Sequence, residues 1–396
     1  MAGAATAAQA PQAACVSSPG RRVVSLGDWH GDWSHAVEAL TALGLLRDGR
    51  WSGGDAVLVQ TGDVVDRGDE GRRLLELLFR LQDEAQASGG RVVMLWGNHE
   101  LMCMQSDLRY VSPTELQQAY GGVPQFRAAW APHGDIGGEL RRRGQVVALV
   151  GDVVYSHAGL LIDILDEFAP GAHGEAAVEM LNAKARTILQ AEGPALQRPN
   201  MMLMDRGPFW TRSLGMSPEA VACPLLDPVL ERLGARRMVV GHTPQRFGDI
   251  SARCDGRLLV ADTFMSQAYT HNAAASAHNA AAVEFHGGSS AKAAAVYPLR
   301  DAFEQCSALT EVRHRSRRGG GRPRGRLRHR ARRAALLLRL PLLHPALQLG
   351  HALIHRRQRR QRRPGRDDPL QHRREPGVEA LQCRRDACAA RGDSHR

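Results

Sequence analysis

The 396-residue chain is long enough for one large α/β domain with an appendage, or for two ordinary domains. Its formal net charge of +11 is a poor guide to partners, because residues 301–396 hold 25 arginines and no lysine against nine acidic residues. The rest of the chain carries 27 basic against 32 acidic residues, which excludes a nucleic-acid reading from net charge for residues 1–300.

Residues 1–20 lack the apolar core of a secretory signal and read as a disordered lead. From Arg21 onward a strand, a glycine-bearing turn and a helix repeat. Val23–Leu26 leads into GDWHGD, and over 34–46 Val37, Leu40, Leu43 and Leu46 recur at the spacing of one helical face. Residues 56–60 lead into TGDVVDRGD and a helix bearing Leu74, Leu75, Leu78 and Leu81. Residues 91–96 lead into GNHE and another short helix. Val- and Leu-rich strands alternating with amphipathic helices predict a sheet covered on both faces, with polar residues past the strand ends converging on one rim. Further strands are predicted at 146–150, 153–155, 237–240, 258–261 and 281–285, with a helix over 176–190. The crowding of the late strands predicts an antiparallel part.

After about residue 300 the sequence becomes low-complexity, in RHRSRRGGGRPRGRLRHRARR and RRQRRQRRPGR, and reads as solvated disorder. The Leu-rich run over 334–354 is broken by Arg339, Pro341, His344, Pro345 and His351, so no transmembrane helix is predicted. The seven cysteines are scattered, with no CxxC pair, which reads as structural thiols in a reducing compartment. An intracellular location is expected, the cytoplasm first and an organelle such as the chloroplast second.

Five short motifs sit at predicted strand ends: Gly27-Asp28-Trp29-His30-Gly31, GDVVDRG from Gly62 to Gly68, Gly97-Asn98-His99-Glu100, Ser156-His157-Ala158 and Gly241-His242-Thr243-Pro244. Glycine lets the chain turn sharply there, so that the next Asp, Asn or His points toward a shared place. Oxygen and imidazole donors without cysteine suit divalent ions such as manganese, iron or zinc. Phosphoester hydrolysis has a very high barrier. Two ions about 3.5–4 Å apart acidify a bridging water and clamp the phosphate during in-line attack. Any one of these residues alone would be an ordinary turn residue; five motifs in order, each after a strand, carry the inference.

In that order, GDWHGD, GDVVDRGD, GNHE, SHAGL and GHTPQ resemble the phosphoprotein phosphatase signature of the calcineurin-like metallophosphoesterase superfamily, over about residues 21–285. GNHELMCMQSDLRYV, RGPFWTR and DTFMSQAYT are similar to motifs of its Shewanella-like branch. The resemblance implies a four-layer α/β/β/α sandwich of two packed mixed sheets over 21–300, while the basic tail of 301–396 reads as disordered from its composition alone. It implies that Asp28 and His30 hold one divalent ion, that Asp63 bridges, and that Asn98, His157 and His242 complete the second site. Manganese is the expected ion in vitro, with iron or zinc as alternatives. His99 would protonate the leaving oxygen with Asp66 holding its imidazole, while Arg67 and Arg212, with Asn98 and His99, bind the substrate phosphate.

The activity implied is hydrolysis of phosphoserine, phosphothreonine or phosphotyrosine in a phosphoprotein or phosphopeptide, by direct attack of the metal-bridging hydroxide. A nucleotide-cleaving enzyme of diadenosine tetraphosphatase type is the first alternative, and an inactive phospho-binding protein the second. Asp69 and Glu70 after DRG depart from the eukaryotic serine/threonine enzymes. No nucleic acid is expected at the catalytic domain, although the tail's arginine clusters would bind polyanions. That tail departs from the family pattern and reads as a shifted reading frame or a mispredicted intron. Peptide mass spectrometry of the native protein is expected to recover no fragment from 320–396; recovering one would establish the tail as genuine.

Overall fold

The structure, a computed structural model, describes residues 13–192, 195–245, 248–286, 293–300 and 306–309. The low-complexity tail, apart from 306–309, lies outside the described residues. In chain order the first elements are β1 (Cys15–Val16), β2 (Val23–Leu26), α1 (Trp33–Ala42), β3 (Leu46–Arg47), β4 (Arg50–Trp51), β5 (Val57–Gln60), α2 (Gly71–Ala87) and β6 (Arg91–Met94). Then come α3 (Asn98–Met104), α4 (Pro113–Gln118), α5 (Val123–Trp130), α6 (Asp135–Arg143), β7 (Val147–Val150), β8 (Val153–Ser156), α7 (Ile162–Phe168) and α8 (Gly174–Leu189). The last are α9 (Glu219–Leu233), β9 (Arg237–Val240), β10 (Ser251–Arg253), β11 (Leu258–Val260), α10 (Gln267–Thr270), α11 (Ala273–Asn279), β12 (Ala282–Phe285), β13 (Ala293–Val296) and β14 (Cys306–Leu309).

Two six-stranded sheets form, ordered β14-β13-β12-β2-β5-β6 and β1-β7-β8-β9-β11-β10. In the first, β2, β5 and β6 are parallel to one another and β12 to β14 are antiparallel. In the second, β8, β9 and β11 are parallel, with antiparallel β7 and β10 flanking them. Alternate side chains of a strand point to opposite faces. Accordingly Val57, Val59, Val93 and Val283 of the first sheet share one core with Ala148, Tyr155, Val239 and Leu259 of the second. Their neighbours Leu58, Val92, Met94, Val154 and Met238 belong to the other core, with the helices. There α2 lies along β6 and α8 along β7. Strands buried on both faces read as continuous apolar runs, and each fully buried leucine of α2 contributes about 1.5–3 kcal/mol. The layering is the α/β/β/α sandwich that the motif resemblance implies.

Three features differ from the sequence expectation. Within the lead expected to be disordered over 1–20, Cys15 and Val16 pair in parallel with Leu149 and Val150 of β7. At the other end β14 adds a strand beyond the expected boundary at residue 300. Helix α9 runs through Pro224 and Pro228, residues that mask a helix in the sequence, and it still buries Leu226, Val229, Leu230 and Leu233.

One pair of cysteines also departs from the reading as structural thiols. Cys223 of α9 is disulfide-bonded to Cys254, just after β10, while Cys15 and Cys103 are free. The pair is 31 residues apart in sequence and meets only because α9 packs beside that turn, so spacing alone does not reveal it. Replacing both cysteines by serine removes the constraint that this loop places on the unfolded chain. A loss of about 3–4 kcal/mol in denaturant unfolding under oxidising conditions is expected; an unchanged midpoint would show that the bridge does not stabilise the fold.

Candidate metal centre

The five motif loops leave the carboxyl ends of β2, β5 and β6 in one sheet and of β8 and β9 in the other. Parallel pairing sends them in one direction, and the seam between the sheets brings them together. Asp63 lies at the centre: its Oδ2 is 3.4 Å from His157 Nε2, 3.6 Å from His30 Nε2 and 4.0 Å from His99 Nε2. Two groups of donors share it, His30–Asp63–His99 and Asp63–His157–His242. Asp28 adjoins, accepting through Oδ1 from the His242 amide at 3.0 Å, and Asn98 Oδ1 lies 3.0 Å from His157 Nε2. All of these residues are buried.

The backbone is bent hard to achieve this. Asp28, His30, Asp63, Asp66, Arg67 and His242 all adopt positive φ, between +44° and +71°. Such left-handed geometry costs on the order of 1–3 kcal/mol per non-glycine residue and persists only where the surroundings hold it. Glycine is required where loops touch: a Cβ on Gly97 would stand 2.1 Å from Asp63 Oδ1, and one on Gly241 would stand 2.3 Å from Asp28 Oδ2. The Glu100 carboxylate supplies much of the restraint. It accepts from the amides of Gly97 (2.7 Å), Val64 (2.8 Å), Asp63 (2.9 Å) and Val65 (3.3 Å), locking the GNHE and GDVVDRG loops to each other.

Each imidazole is oriented from behind. His157 Nδ1 donates to the Thr61 carbonyl at 2.8 Å, His30 Nδ1 to the Val65 carbonyl at 3.2 Å, and His242 Nε2 to the Trp210 carbonyl at 3.1 Å. In each ring the remaining nitrogen is left for the site, the arrangement metal-binding histidines require. His157 is informative because both its nitrogens face oxygen acceptors. A doubly protonated ring satisfies that geometry, and so does a cation in place of the Nε2 proton.

The electrostatics point the same way. Burial, then Asp262 and Asp63, push the Asp28 carboxyl well above the usual carboxylate range, and Asp28 Oδ2 is buried with no hydrogen-bond partner among the described residues. Burial would also raise Asp63, but His157, His99 and His30 outweigh it and hold that carboxyl well below its ordinary range. Concentrated buried carboxylates of this kind need positive charge to be stable. The donor set therefore fits divalent ions.

Beside the cluster, His99 Nδ1 bonds Asp66 Oδ2 at 2.7 Å. Burial lowers the proton affinity of His99, and Asp63 and Asp66 more than reverse this, so its pKa lies above the ordinary value. The Arg67 guanidinium sits over the rings of Tyr110 and Tyr269, and Arg212, exposed at the rim, donates to the His242 carbonyl at 2.7 Å. Every candidate residue expected from the sequence thus falls in or beside this cluster.

The sequence profile of calcineurin-like phosphoesterases matches residues 21–246. The chain belongs to this family. An uncharacterized protein of Schizosaccharomyces pombe is 34% identical over 253 residues, covering 62% of this chain and 74% of that protein. Shewanella-like protein phosphatase 2 of Arabidopsis thaliana is 29% identical over 290 residues, covering 62% and 72%. Among solved structures, the cold-active protein-tyrosine phosphatase of a psychrophilic Shewanella species shares the fold, with a TM-score of 0.61 and 23% identity over 76% of this chain and 83% of that one. Calcineurin-like phosphoesterases use divalent metals, in keeping with the two donor groups on Asp63.

Several members of this phosphoesterase site are not singled out by sequence reasoning. Glu100 lies inside GNHE, and Asp262 and Tyr269 inside DTFMSQAYT, so position within a motif is the signal that points to them. Asp262 is buried, and burial followed by Asp63 raises its carboxyl to about 6 despite the Phe264 amide. Trp29 is a core residue, Trp33 stacks on Arg73, and His35 bonds Asp32 and the Ala273 carbonyl in a structural role. No helix among the described residues is long and apolar enough to cross a membrane.

Because the cluster is short of positive charge, adding manganese to chelated protein is expected to raise the thermal midpoint. The stabilisation is about 2.7 kcal/mol at a hundredfold excess over the dissociation constant. Asp63→Asn is expected to abolish most of that shift; an equal shift in this variant would place the bound ion elsewhere.

Proposed function

We propose that the protein is a metal-dependent phosphoprotein phosphatase. The observation that carries this reading is the Asp63 carboxylate at the meeting point of three imidazoles, with the His99–Asp66 pair and Arg67 on one side. Asp28, His30 and Asp63 would hold one divalent ion, and Asp63, Asn98, His157 and His242 the other, manganese in vitro with iron or zinc as alternatives. When bound, the ions supply Lewis-acid neutralisation of the phosphate and acidify water for direct attack. The name of the Arabidopsis relative and the fold shared with the Shewanella tyrosine phosphatase support a phosphoprotein substrate.

The chain's own residues supply the rest. Asp66 holds Nδ1 of His99, which leaves Nε2 to carry a proton to the departing alkoxide or phenoxide. Asp66 also keeps the ring in one orientation through that transfer. Arg67 and Arg212 bind phosphate oxygens through their planar donor edges. The burial of Asp63, Asp66 and His99 keeps bulk water from screening the charges of that group.

The full-length protein with manganese is expected to hydrolyse at least one of matched phosphotyrosine, phosphothreonine and phosphoserine peptides, with activity lost on chelation and in Asp63→Asn. His99→Asn is expected to lower kcat by roughly 10²–10⁴-fold. Cleavage of a dinucleoside polyphosphate with silence on every peptide would move the protein to the nucleotide-cleaving branch. Peptide binding without turnover would make it a phospho-binding protein.

A further inference from the structure

Arginines at the edge of a polar cluster usually find a carboxylate. Here Arg22 pairs with Glu284 and Arg143 with Asp83. Arg67 does otherwise: its side chain makes no hydrogen bond or ion pair among the described residues, and its Nε is buried without a partner. Two aromatic rings hold it instead, with the guanidinium carbon 4.3 Å from the ring centre of Tyr110 and 4.7 Å from that of Tyr269. The rings are themselves anchored. The Tyr110 carbonyl accepts from the Arg67 amide at 2.7 Å, and the ring of Tyr110 stands 5.1 Å from that of His99. Tyr269 lies edge-on to His30 at 4.9 Å, with its hydroxyl 3.0 Å from His30 Nε2.

The chemistry of this choice matters. A carboxylate partner would occupy two of the five N–H donors and cancel the charge. An aromatic face attracts the cation through its quadrupole and leaves every donor in the guanidinium plane free. Arg67 also sits at φ +71°, in a tight turn that fixes where its side chain starts but not the plane in which it ends.

We propose that Tyr110 and Tyr269 are positioning residues that hold the Arg67 guanidinium by cation–π stacking in place of a salt bridge, keeping its donor edge free for a phosphate group. The proposal rests on the reading of Arg67 as a phosphate ligand. Each ring also touches a histidine of the site, Tyr269 through its hydroxyl on His30 and Tyr110 through its ring on His99, so Tyr110, 39% exposed, is probed first by phosphate affinity and only then by kcat.

The test measures calorimetric binding of inorganic phosphate to the full-length, manganese-loaded protein, with KM and kcat on a phosphopeptide read in parallel. Tyr110→Leu is expected to weaken phosphate binding and raise KM by about fivefold, with a smaller change in kcat. Tyr110→Phe, which keeps the aromatic face, should stay within about twofold of the unmodified protein. In an Arg67→Ala background, Tyr110→Leu should have no further effect on phosphate affinity, because the ring acts through the guanidinium. A full Tyr110→Leu effect without Arg67 would overturn the proposal, as would unchanged affinity in Tyr110→Leu alone or an equal loss in Tyr110→Phe. Phosphate binding needs no turnover, so these ratios hold or fail even if no phosphoester is hydrolysed; loss of activity alone would count against the phosphatase reading and leave the clamp standing.

Discussion

Asp63 holds a carboxylate almost entirely out of water at the seam between two sheets, and a charge in that position has to be balanced. Three imidazoles approach it from loops on both sides of the seam, two from the first sheet and one from the second. The balance is local and demanding, since Asp28, Glu100 and Asp262 add further buried carboxyl groups whose proton affinities burial raises. Much else in the molecule follows from keeping these groups at fixed separations: the strained turns, the glycines at loop contacts, and the Glu100 carboxylate that ties amides of two loops together.

The strain also explains the division of labour in the fold. Six side chains in left-handed turns represent several kcal/mol of unfavourable backbone energy, which the loops alone cannot support. Two sheets with both faces buried supply rigid strand ends, and the tethers from Trp210 and Arg212 to His242 brace the last of the motif loops. Rigid elements thus carry the stability, and the loops carry the chemistry.

Much of this was legible in the sequence because the site is built from strand-end motifs. Val23–Leu26 and Arg237–Val240 are strands with the predicted bounds, and β5, β6 and β8 begin or end within two residues of expectation. The candidate residues converge as expected, since a glycine followed by Asp, Asn or His after a strand constrains direction strongly. What escaped depends on partners distant in sequence. Neither β1 nor the Cys223–Cys254 bridge has a local signature, because each exists only through the neighbour it meets. Tyr110 and Tyr269 look like ordinary aromatic residues until Arg67 is seen between them.

The short strand β1 has a consequence for solubility. The amides of Leu149 in β7 and of Gly151 just after it donate to the carbonyls of Ala14 and Val16, so those donors along this edge are already taken. An open sheet edge is a template on which a strand of another molecule can add. Among the described residues, the two-residue pairing covers part of that template. Trimming the chain to the first motif strand would uncover it and open the β7 edge to pairing with a strand of another molecule at high concentration.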